Sequence, residues 1–244
     1  MCELFALSCN DKDRATKGLP VFQQRGSWCQ DGWGIGWYDG PTSRVVKSGE
    51  DVNVSERFFK AVDKAKSNVI VAHVRSSTGG AADTCNSHPF KIHAVGRDWL
   101  FAHNGDVPHI VSQEYPSRVK LYSDIDSDID SARIFSFLVD EMERYLQGST
   151  IRGIYPAVVR ASKGLIERFG GSVNYLLTDG LNLFILNHYP GTPIYFIRRG
   201  KPYGSAFVAT TVCRLTNERW RTLPPDRVLV VSNGDFLVLS DPIV

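Results

Sequence analysis

The chain has 244 residues, of which 43% are hydrophobic and 22% are charged, and its formal net charge is +2. These values are typical of a globular protein that can build its own core. The Lys and Arg residues are scattered and form no basic stripe for binding a phosphate backbone. No apolar run is long enough to span a bilayer, and Glu3 stands where a signal peptide carries basic residues. Composition therefore argues against nucleic-acid and membrane binding and predicts a cytoplasmic protein.

Cys2 is the first residue with the chemistry of a nucleophile, because removal of Met1 would leave it at the amino terminus. A free α-amino group has a pKa of about 7.7 to 8 and can accept the proton of a thiol whose pKa is about 8.5. A cysteine also commonly packs as a small hydrophobe, so its position alone leaves both interpretations open. The cysteines form an odd set without paired spacing, which argues against a disulfide framework; they are Cys2, Cys9, Cys29, Cys85 and Cys213.

Periodicity predicts mixed α and β structure in a single domain over residues 1–244, since no linker interrupts the pattern. Short apolar runs at 69–74 and 99–103 predict buried strands. Apolar stripes with helical spacing predict helices that face a sheet, over 55–66, 131–147 and 156–169.

Two hairpins are predicted in the last third of the chain. Turn residues separate two pairs of apolar runs, which are 173–177 with 183–187 and 228–231 with 236–239. Hairpins favour antiparallel sheets over a doubly wound parallel sheet.

Glycines alternate with apolar residues between Asp31 and Trp37. A dinucleotide-binding loop is also rich in glycine, but it needs a preceding strand, a following helix and an acid about 20 residues later. Alternation is typical of a strand that another backbone approaches closely. The segment therefore predicts a tightly packed strand rather than a cofactor site.

Arg75 directly follows the buried run 69–74 and must find a partner, because burying an unpaired guanidinium is costly. It can pair with a structural carboxylate, or it can hold the carboxylate of a ligand through two charge-assisted hydrogen bonds. The sequence around it leaves both possibilities open.

His88 lies in a predicted turn and is a further candidate for a functional role. Together with Cys85 and His93 it could suggest a zinc site. That spacing fits no common closed zinc site, so we do not expect a metal.

Asn104 and Gly105 follow the buried run 99–103. Asn-Gly often forms a hairpin turn, and this segment alone favours that interpretation. The same two residues could instead aim a side-chain amide and a backbone N–H at a developing oxyanion. Asp130 precedes the helix predicted at 131–147, where it could cap the helix or bind a substrate ammonium.

Several motifs follow one another along the chain in a defined order and spacing. Together they identify a protein family far more specifically than any single motif does. They are Cys2, Arg25-Gly26, Asp31-Gly32-Trp33-Gly34, residues 73–78, residues 86–90, His103-Asn104-Gly105 and Asp130-Ser131. The set resembles the class II glutamine amidotransferases. It looks most like their small stand-alone branch, which includes YafJ-type proteins and the ergothioneine-pathway γ-glutamyl hydrolase. The resemblance continues through 174–180 and 209–211 to Trp220.

The resemblance implies an α+β N-terminal-nucleophile hydrolase fold, in which two antiparallel sheets pack face to face between helical layers in the order αββα. Cys2 would then be the nucleophile and its own α-amine the base. Asn104 and the Gly105 N–H would form the oxyanion hole. The reaction would pass through a γ-glutamyl thioester, and no metal or cofactor is implied.

The family pattern also implies substrate contacts. Arg75 would hold the α-carboxylate of glutamine and Asp130 its α-ammonium. Thr78 and His88 are expected to contribute to substrate binding, and the expected supporting residues are Arg25, Trp33 and Gly34.

The chain departs from the family pattern at several positions. Gln30 stands where the pattern often has His, and Ala132 replaces the acid that usually follows Asp-Ser. Several aspartates between 124 and 130 make the register ambiguous. Asp130 gives the best match, and Asp128 is the reserve candidate for the ammonium ligand.

Three functions agree with the resemblance. The chain could be a glutaminase that delivers ammonia to a separate synthetase, since it leaves little length for a synthetase domain of its own. It could instead hydrolyse a γ-glutamyl amide or peptide by itself. A non-catalytic interaction module of the same fold is the third possibility, and Cys2, Arg75, Asn104 and Gly105 argue against it.

Overall fold

The computed structural model describes residues 2–25, 29–76, 84–119, 129–200 and 204–244, with the side chain of Arg25 left out. Seven of the strands in these ranges form one antiparallel sheet. They are β1 (Glu3–Asp13), β2 (Trp33–Asp39), β3 (Thr42–Ser48), β4 (Ser67–Val74), β9 (Tyr195–Arg199), β10 (Ala206–Thr210) and β11 (Arg221–Thr222). Their order across the sheet is β11-β9-β10-β1-β4-β2-β3.

A second antiparallel sheet contains six strands in the described part of the chain. They are β5 (Phe90–Ala94), β6 (Arg97–Asp106), β7 (Ser172–Thr178), β8 (Asn182–His188), β12 (Val228–Ser232) and β13 (Asp235–Leu239). Their order is β13-β12-β8-β7-β6-β5. Both predicted hairpins are confirmed, because β7 pairs with β8 and β12 pairs with β13.

The described helices lie on the outer faces of the two sheets. They are α1 (Leu19–Arg25), α2 (Glu56–Lys64), α3 (Pro108–Ser112), α4 (Asp130–Tyr145) and α5 (Ile151–Phe169), and a short 3₁₀ turn spans Thr84–Asn86. The last helix begins before the predicted residue 156 and includes Pro156, because the preceding Ile151 and Ile154 pack against the core and extend its apolar stripe. None of the helices in these ranges is long and apolar enough to cross a membrane.

Three apolar layers hold these elements together. One layer packs α1 and α2 on the outer face of the first sheet, and another packs α4 and α5 on the outer face of the second. The third lies between the sheets and includes Leu4, Ala6, Leu100 and Ala102. This is the αββα arrangement that the family resemblance implied. Side chains alternate along a strand, so Cys2 lies on the same face as Leu4 and Ala6. For the same reason, Asn104 lies on the same face as Leu100 and Ala102.

The alternating glycines of β2, and Gly32 just before it, lie against the segment 87–89, so the predicted close approach to this strand is confirmed. A Cβ at position 34 would lie 2.1 Å from the carbonyl oxygen of His88, and one at position 36 would lie 2.8 Å from Cγ of Pro89. Gly32 has a φ of +125°, and a Cβ there would lie 2.4 Å from Oγ of Ser87. Glycine is needed because the segment packs directly on the strand backbone.

Replacing Gly34 should therefore destabilise the fold. We expect Gly34→Ala to lower the free energy of unfolding by about 1 to 3 kcal/mol, because the added methyl group overpacks the contact with His88. Urea denaturation measures the change. Gly164→Ala is the matched control: its Cβ would lie 3.7 Å from Phe137, which is an ordinary van der Waals contact between α5 and α4. Equal stability of the two variants would contradict this view of β2.

Candidate active site

Cys2 lies just before β1, half-buried, at one end of the space between the sheets. Its Sγ is 3.2 Å from the carbonyl oxygen of Ser76, and the Ser76 N–H donates to Sγ at 3.3 Å. A thiol fits these two contacts, because it donates to the carbonyl and accepts from the amide. Burial raises the pKa of the Cys2 thiol, and the Ser76 N–H opposes this rise. The sulfur therefore needs a base that removes its proton when it attacks.

The start of β1 is fixed behind the cysteine by Thr211. Its hydroxyl accepts the Leu4 N–H at 2.8 Å and donates to the Glu3 carboxylate. The Thr211 N–H also donates to the Leu4 carbonyl at 3.1 Å. Sequence analysis gave Thr211 no separate role, because its partners lie at the opposite end of the chain.

Asn104 lies within β6, opposite Asn174 of β7. It is buried, and its Nδ2 donates to the carbonyl oxygen of Cys2 at 2.7 Å. The hairpin interpretation of Asn104-Gly105 is therefore wrong. The strand continues to Asp106 because β7, which is distant in sequence, supplies hydrogen-bonding partners across this segment.

Position 105, which directly follows Asn104, requires a glycine. Its φ is +149°, and a Cβ there would lie 1.8 Å from the carbonyl oxygen of Ser172. No other residue type could keep the backbone of β6 this close to β7. Gly105 thus directly follows Asn104 within one strand.

Arg75 directly follows β4, and its backbone lies between the ends of β1 and β2. Glu3 of β1 pairs with Val74, while the Arg75 N–H donates to the Gly32 carbonyl at 2.8 Å. The guanidinium is buried, and its Nη1 donates to the carbonyl oxygen of Asp31 at 3.3 Å. The guanidinium and the cysteine therefore sit at the same end of the first sheet.

His88 is positioned by the tight packing of its segment on β2. Ser87 donates to the Ser48 carbonyl at 3.0 Å, and Lys47 donates to the Ser87 carbonyl at 2.8 Å. The His88 ring then lies 4.3 Å from the ring of His73 and 4.7 Å from that of Phe90. Both ring nitrogens of His73 and of His88 are buried and lack a hydrogen-bond partner among the residues that the structure describes.

These two histidines are neutral in the folded protein. Burial lowers the pKa of His73 to about 3 and lowers the pKa of His88 well below its usual value, and the nearby Arg75 acts in the same direction on both. His93 points elsewhere, since its Nδ1 lies 2.9 Å from Asp98. Among the described residues, no three His, Cys, Asp or Glu side chains are placed to hold a metal ion.

Asp130 is the first residue of α4, and the cap position before it is Ile129. The simple N-cap interpretation of Asp130 is therefore wrong. Its Oδ2 accepts the Val107 N–H at 3.0 Å and its Oδ1 accepts the Ser131 N–H at 2.7 Å. The carboxylate thus joins the start of α4 to the residue that follows β6.

Of the remaining predicted site residues, the structure describes Trp33 and Gly34. Trp33 lies in the outer layer, where its ring meets Phe58 edge-on at 5.3 Å, so it packs α2 onto the sheet rather than facing Cys2. Gly34 supports the segment of His88 as described above. Thr78, Asp128 and the side chain of Arg25 lie outside the described part of the chain.

Two further asparagines continue the row that begins with Asn104 across the second sheet. Asn174 donates to the Thr192 carbonyl at 2.6 Å, and Asn187 donates to the Leu223 carbonyl at 2.7 Å. The register pairs Asn104 with Asn174 and Asn174 with Asn187. Each amide thus holds a segment from outside the sheet. Sequence analysis missed this row because its members are aligned only by strand register.

Comparison with known proteins shows which family this chain resembles. The family model of the class II glutamine amidotransferases matches residues 1–210. YafJ of Escherichia coli is 27% identical over 95% of this chain and 89% of its own length. The γ-glutamyl-hercynylcysteine sulfoxide hydrolase of Mycobacterium tuberculosis is 32% identical over 73% of this chain and 71% of its own length.

Solved structures agree on the fold. A predicted glutamine amidotransferase from Pseudomonas aeruginosa superimposes with a TM-score of 0.67 at 21% identity, covering 97% of this chain and 100% of the other. The glutamine phosphoribosylpyrophosphate amidotransferase of B. subtilis gives a TM-score of 0.72 at 15% identity, covering 100% of this chain and 49% of the other. At these identities the likeness concerns the fold.

The buried histidines should make the protein less stable in mild acid. His73 stays neutral in the folded state, whereas an exposed histidine in the unfolded state binds a proton below pH 6.5, so the unfolded state binds more protons between pH 6.5 and 3. The free energy of unfolding should then fall by roughly 1.4 kcal/mol per pH unit for such a group. Urea denaturation at pH 7 and pH 5 should show a smaller loss in His73→Leu than in the unaltered protein. An equal loss would contradict the assignment.

Proposed function

This chain belongs to the class II glutamine amidotransferases, and we propose that it hydrolyses the side-chain amide of glutamine or of another γ-glutamyl compound, with Cys2 as the nucleophile. The observation that carries the proposal is the contact between the Asn104 amide and the Cys2 carbonyl at 2.7 Å, which brings a hydrogen-bond donor beside the cysteine. Burial of the thiol adds the requirement for a base. Removal of Met1 would supply one in the α-amine of Cys2 itself.

The first half of the reaction forms a thioester. The α-amine of Cys2 accepts the thiol proton as sulfur attacks the amide carbon, and the carbonyl oxygen takes up negative charge. The Asn104 amide and the Gly105 N–H donate to this oxygen. The carbon–nitrogen bond then breaks, and the proton held by the α-amine passes to the leaving ammonia or amine. The products of this step are a γ-glutamyl thioester on Cys2 and the free amine.

The second half regenerates the enzyme. Water attacks the thioester carbon, and the α-amine accepts a proton from that water. The carbon–sulfur bond breaks, and the proton returns to the Cys2 sulfur. Glutamate, or the corresponding acid, leaves. None of these steps requires a metal or an organic cofactor.

Substrate selection rests on two charged groups in this proposal. Arg75 lies at the same end of the first sheet as Cys2 and binds the α-carboxylate, while Asp130, held at the end of β6, binds the α-ammonium. A site with both groups favours substrates that carry both charges, because each charge-assisted contact adds to their binding. We keep Thr78, His88 and Asp128 as proposed contributors to this side of the site.

Two physiological roles are compatible with this chemistry. In the first, the enzyme releases ammonia from glutamine for a separate synthetase. In the second, it hydrolyses a larger γ-glutamyl amide by itself, and the 32% identity to a γ-glutamyl-hercynylcysteine sulfoxide hydrolase favours this role specifically. Turnover of glutamine measured beside γ-glutamyl peptides distinguishes them, since the first role predicts faster release from glutamine.

The proposal also covers the setting of the reaction. We place the enzyme in the cytoplasm, where a reducing environment keeps the Cys2 thiol free. We treat residues 1–244 as one amidotransferase domain, because strands from both ends of the chain build the two sheets.

Maturation is the direct test of the mechanism. We expect intact mass spectrometry of active protein to show loss of Met1, since a peptide bond at the Cys2 nitrogen removes its basicity. Cys2→Ala should abolish turnover and the γ-glutamyl thioester, which mass spectrometry of acid-quenched enzyme detects. Cys29→Ala is the control and should retain the thioester. Equal rates from protein that keeps Met1 would refute the N-terminal base.

Asn104 tests the oxyanion hole. Asn104→Ala should lower kcat by about 10² to 10³, or roughly 2.7 to 4 kcal/mol, with KM little changed, because its hydrogen bond strengthens as charge develops. Asn187→Ala is a matched control, since it also removes a buried 2.7 Å amide-to-carbonyl bond from the second sheet. The control should lose comparable stability and keep its kcat. A similar fall of kcat in both variants would assign Asn104 a structural role only.

A further inference from the structure

Ser131 connects Asp130 to a buried histidine. The Ser131 Oγ lies 3.2 Å from Oδ1 of Asp130 and 2.9 Å from Nδ1 of His103. Ser131 and His103 are both buried, and His103 directly precedes Asn104 in β6. One strand therefore carries the proposed oxyanion donor on its inner face and this imidazole on its outer face.

One assignment of the protons satisfies both of the shorter contacts. The Asp130 carboxylate can only accept, so the Ser131 hydroxyl donates to it, and the hydroxyl oxygen then accepts from Nδ1–H of His103. The other ring nitrogen, Nε2, faces the Ser172 carbonyl at 3.4 Å, which is the longest of these contacts. A neutral ring with its proton on Nδ1 leaves only that long contact without a hydrogen. Burial lowers the pKa of His103, although the nearby Asp130 opposes this, and the neutral form agrees with that direction.

Three donors thus fix the carboxylate of Asp130. The Val107 N–H reaches Oδ2, and the Ser131 N–H and hydroxyl reach Oδ1. The two backbone donors would hold any aspartate at the start of α4. The hydroxyl donor is different, because the buried imidazole determines which way it points. The hydroxyl contact is not part of the helix start, because the Ser131 N–H already has its acceptor in Oδ1 of Asp130 without it.

We propose that His103 and Ser131 are positioning residues that orient the Asp130 carboxylate for the α-ammonium of the substrate. This inference rests on the proposed function, and it adds the residues that make the site selective for an α-amino acid over a plain amide. A carboxylate that is free to rotate would lose part of its pairing with the ammonium. The Asp130-Ser131 pair at the start of α4 then acts together with His103 of the His-Asn-Gly motif.

A matched pair of substrates tests the role. L-γ-glutamyl-p-nitroanilide carries the α-ammonium, and glutaryl-p-nitroanilide has the same anilide without it. For Ser131→Ala we expect KM for the γ-glutamyl anilide to rise about tenfold with kcat within twofold, the effect of one lost hydrogen bond to a charged group. The kcat/KM for the glutaryl anilide should stay unchanged. Ser131→Thr keeps the hydroxyl and should retain the preference for the γ-glutamyl substrate.

Ser136→Ala is the control for a merely structural effect. Ser136 lies in the same helix, and its buried hydroxyl donates to the Ala132 carbonyl at 2.7 Å and accepts the Arg118 N–H at 2.8 Å. This variant should leave both substrates unaffected. Equal losses on both substrates in Ser131→Ala, or no loss on either, would overturn the positioning role.

The experiment distinguishes failure of the positioning role from failure of the proposed function. If the unaltered protein hydrolysed neither anilide and formed no acyl-enzyme, amide hydrolysis would be refuted. Calorimetric titration of the same variants with L-glutamate and with glutarate then decides the positioning role by itself. A preference for glutamate that Ser131→Ala loses and Ser131→Thr keeps would support it. The same preference in Ser131→Ala, or equal binding of both acids by the unaltered protein, would overturn it.

Discussion

The hydrogen bond between Asn104 and the Cys2 carbonyl joins the two sheets at the end where the chemistry is proposed, and the site depends on it. Each partner comes from a different sheet, so their meeting requires the face-to-face packing of Leu4, Ala6, Leu100 and Ala102 between the sheets. A buried hydrogen bond of this kind stabilises the fold by only about 0.5 to 1.5 kcal/mol net. Apolar burial supplies the larger stabilisation, and the hydrogen bond sets the relative position of the two strands.

Polar groups replace the apolar core at this end of the sandwich, where the reaction is proposed. His73 and His88 are buried without hydrogen-bond partners among the described residues, which disfavours the folded state unless a ligand or water meets them. The glycines of β2 allow the segment of His88 to pack so closely. These buried polar groups therefore reduce stability at the end where substrate is proposed to bind, as is common for functional sites.

Local patterns were sufficient for the elements whose partners are close in sequence. The hairpins with turns at Asp179 and Asn233 are predicted correctly, because each turn directly joins its two strands. Asn104-Gly105 shows the limit of this reasoning: its turn-forming preference is local, but hydrogen bonds from distant β7 keep it in a strand. Likewise, sequence spacing shows neither that Asp130 reaches Val107 nor that Ser131 reaches His103, because both contacts form only when α4 packs on the second sheet.

The sequence by itself determined the family, through the order of its motifs. It also determined the hairpins, through short apolar runs joined by turn residues, and the residue types proposed for the chemistry. Only the tertiary structure decided which of these residues meet. It brought Cys2, Arg75 and Asn104 to one end of the sandwich and placed Trp33 in the outer layer. The physical reason is that strand register and sheet packing are set by burial summed over the whole chain, whereas a motif specifies only its own few residues.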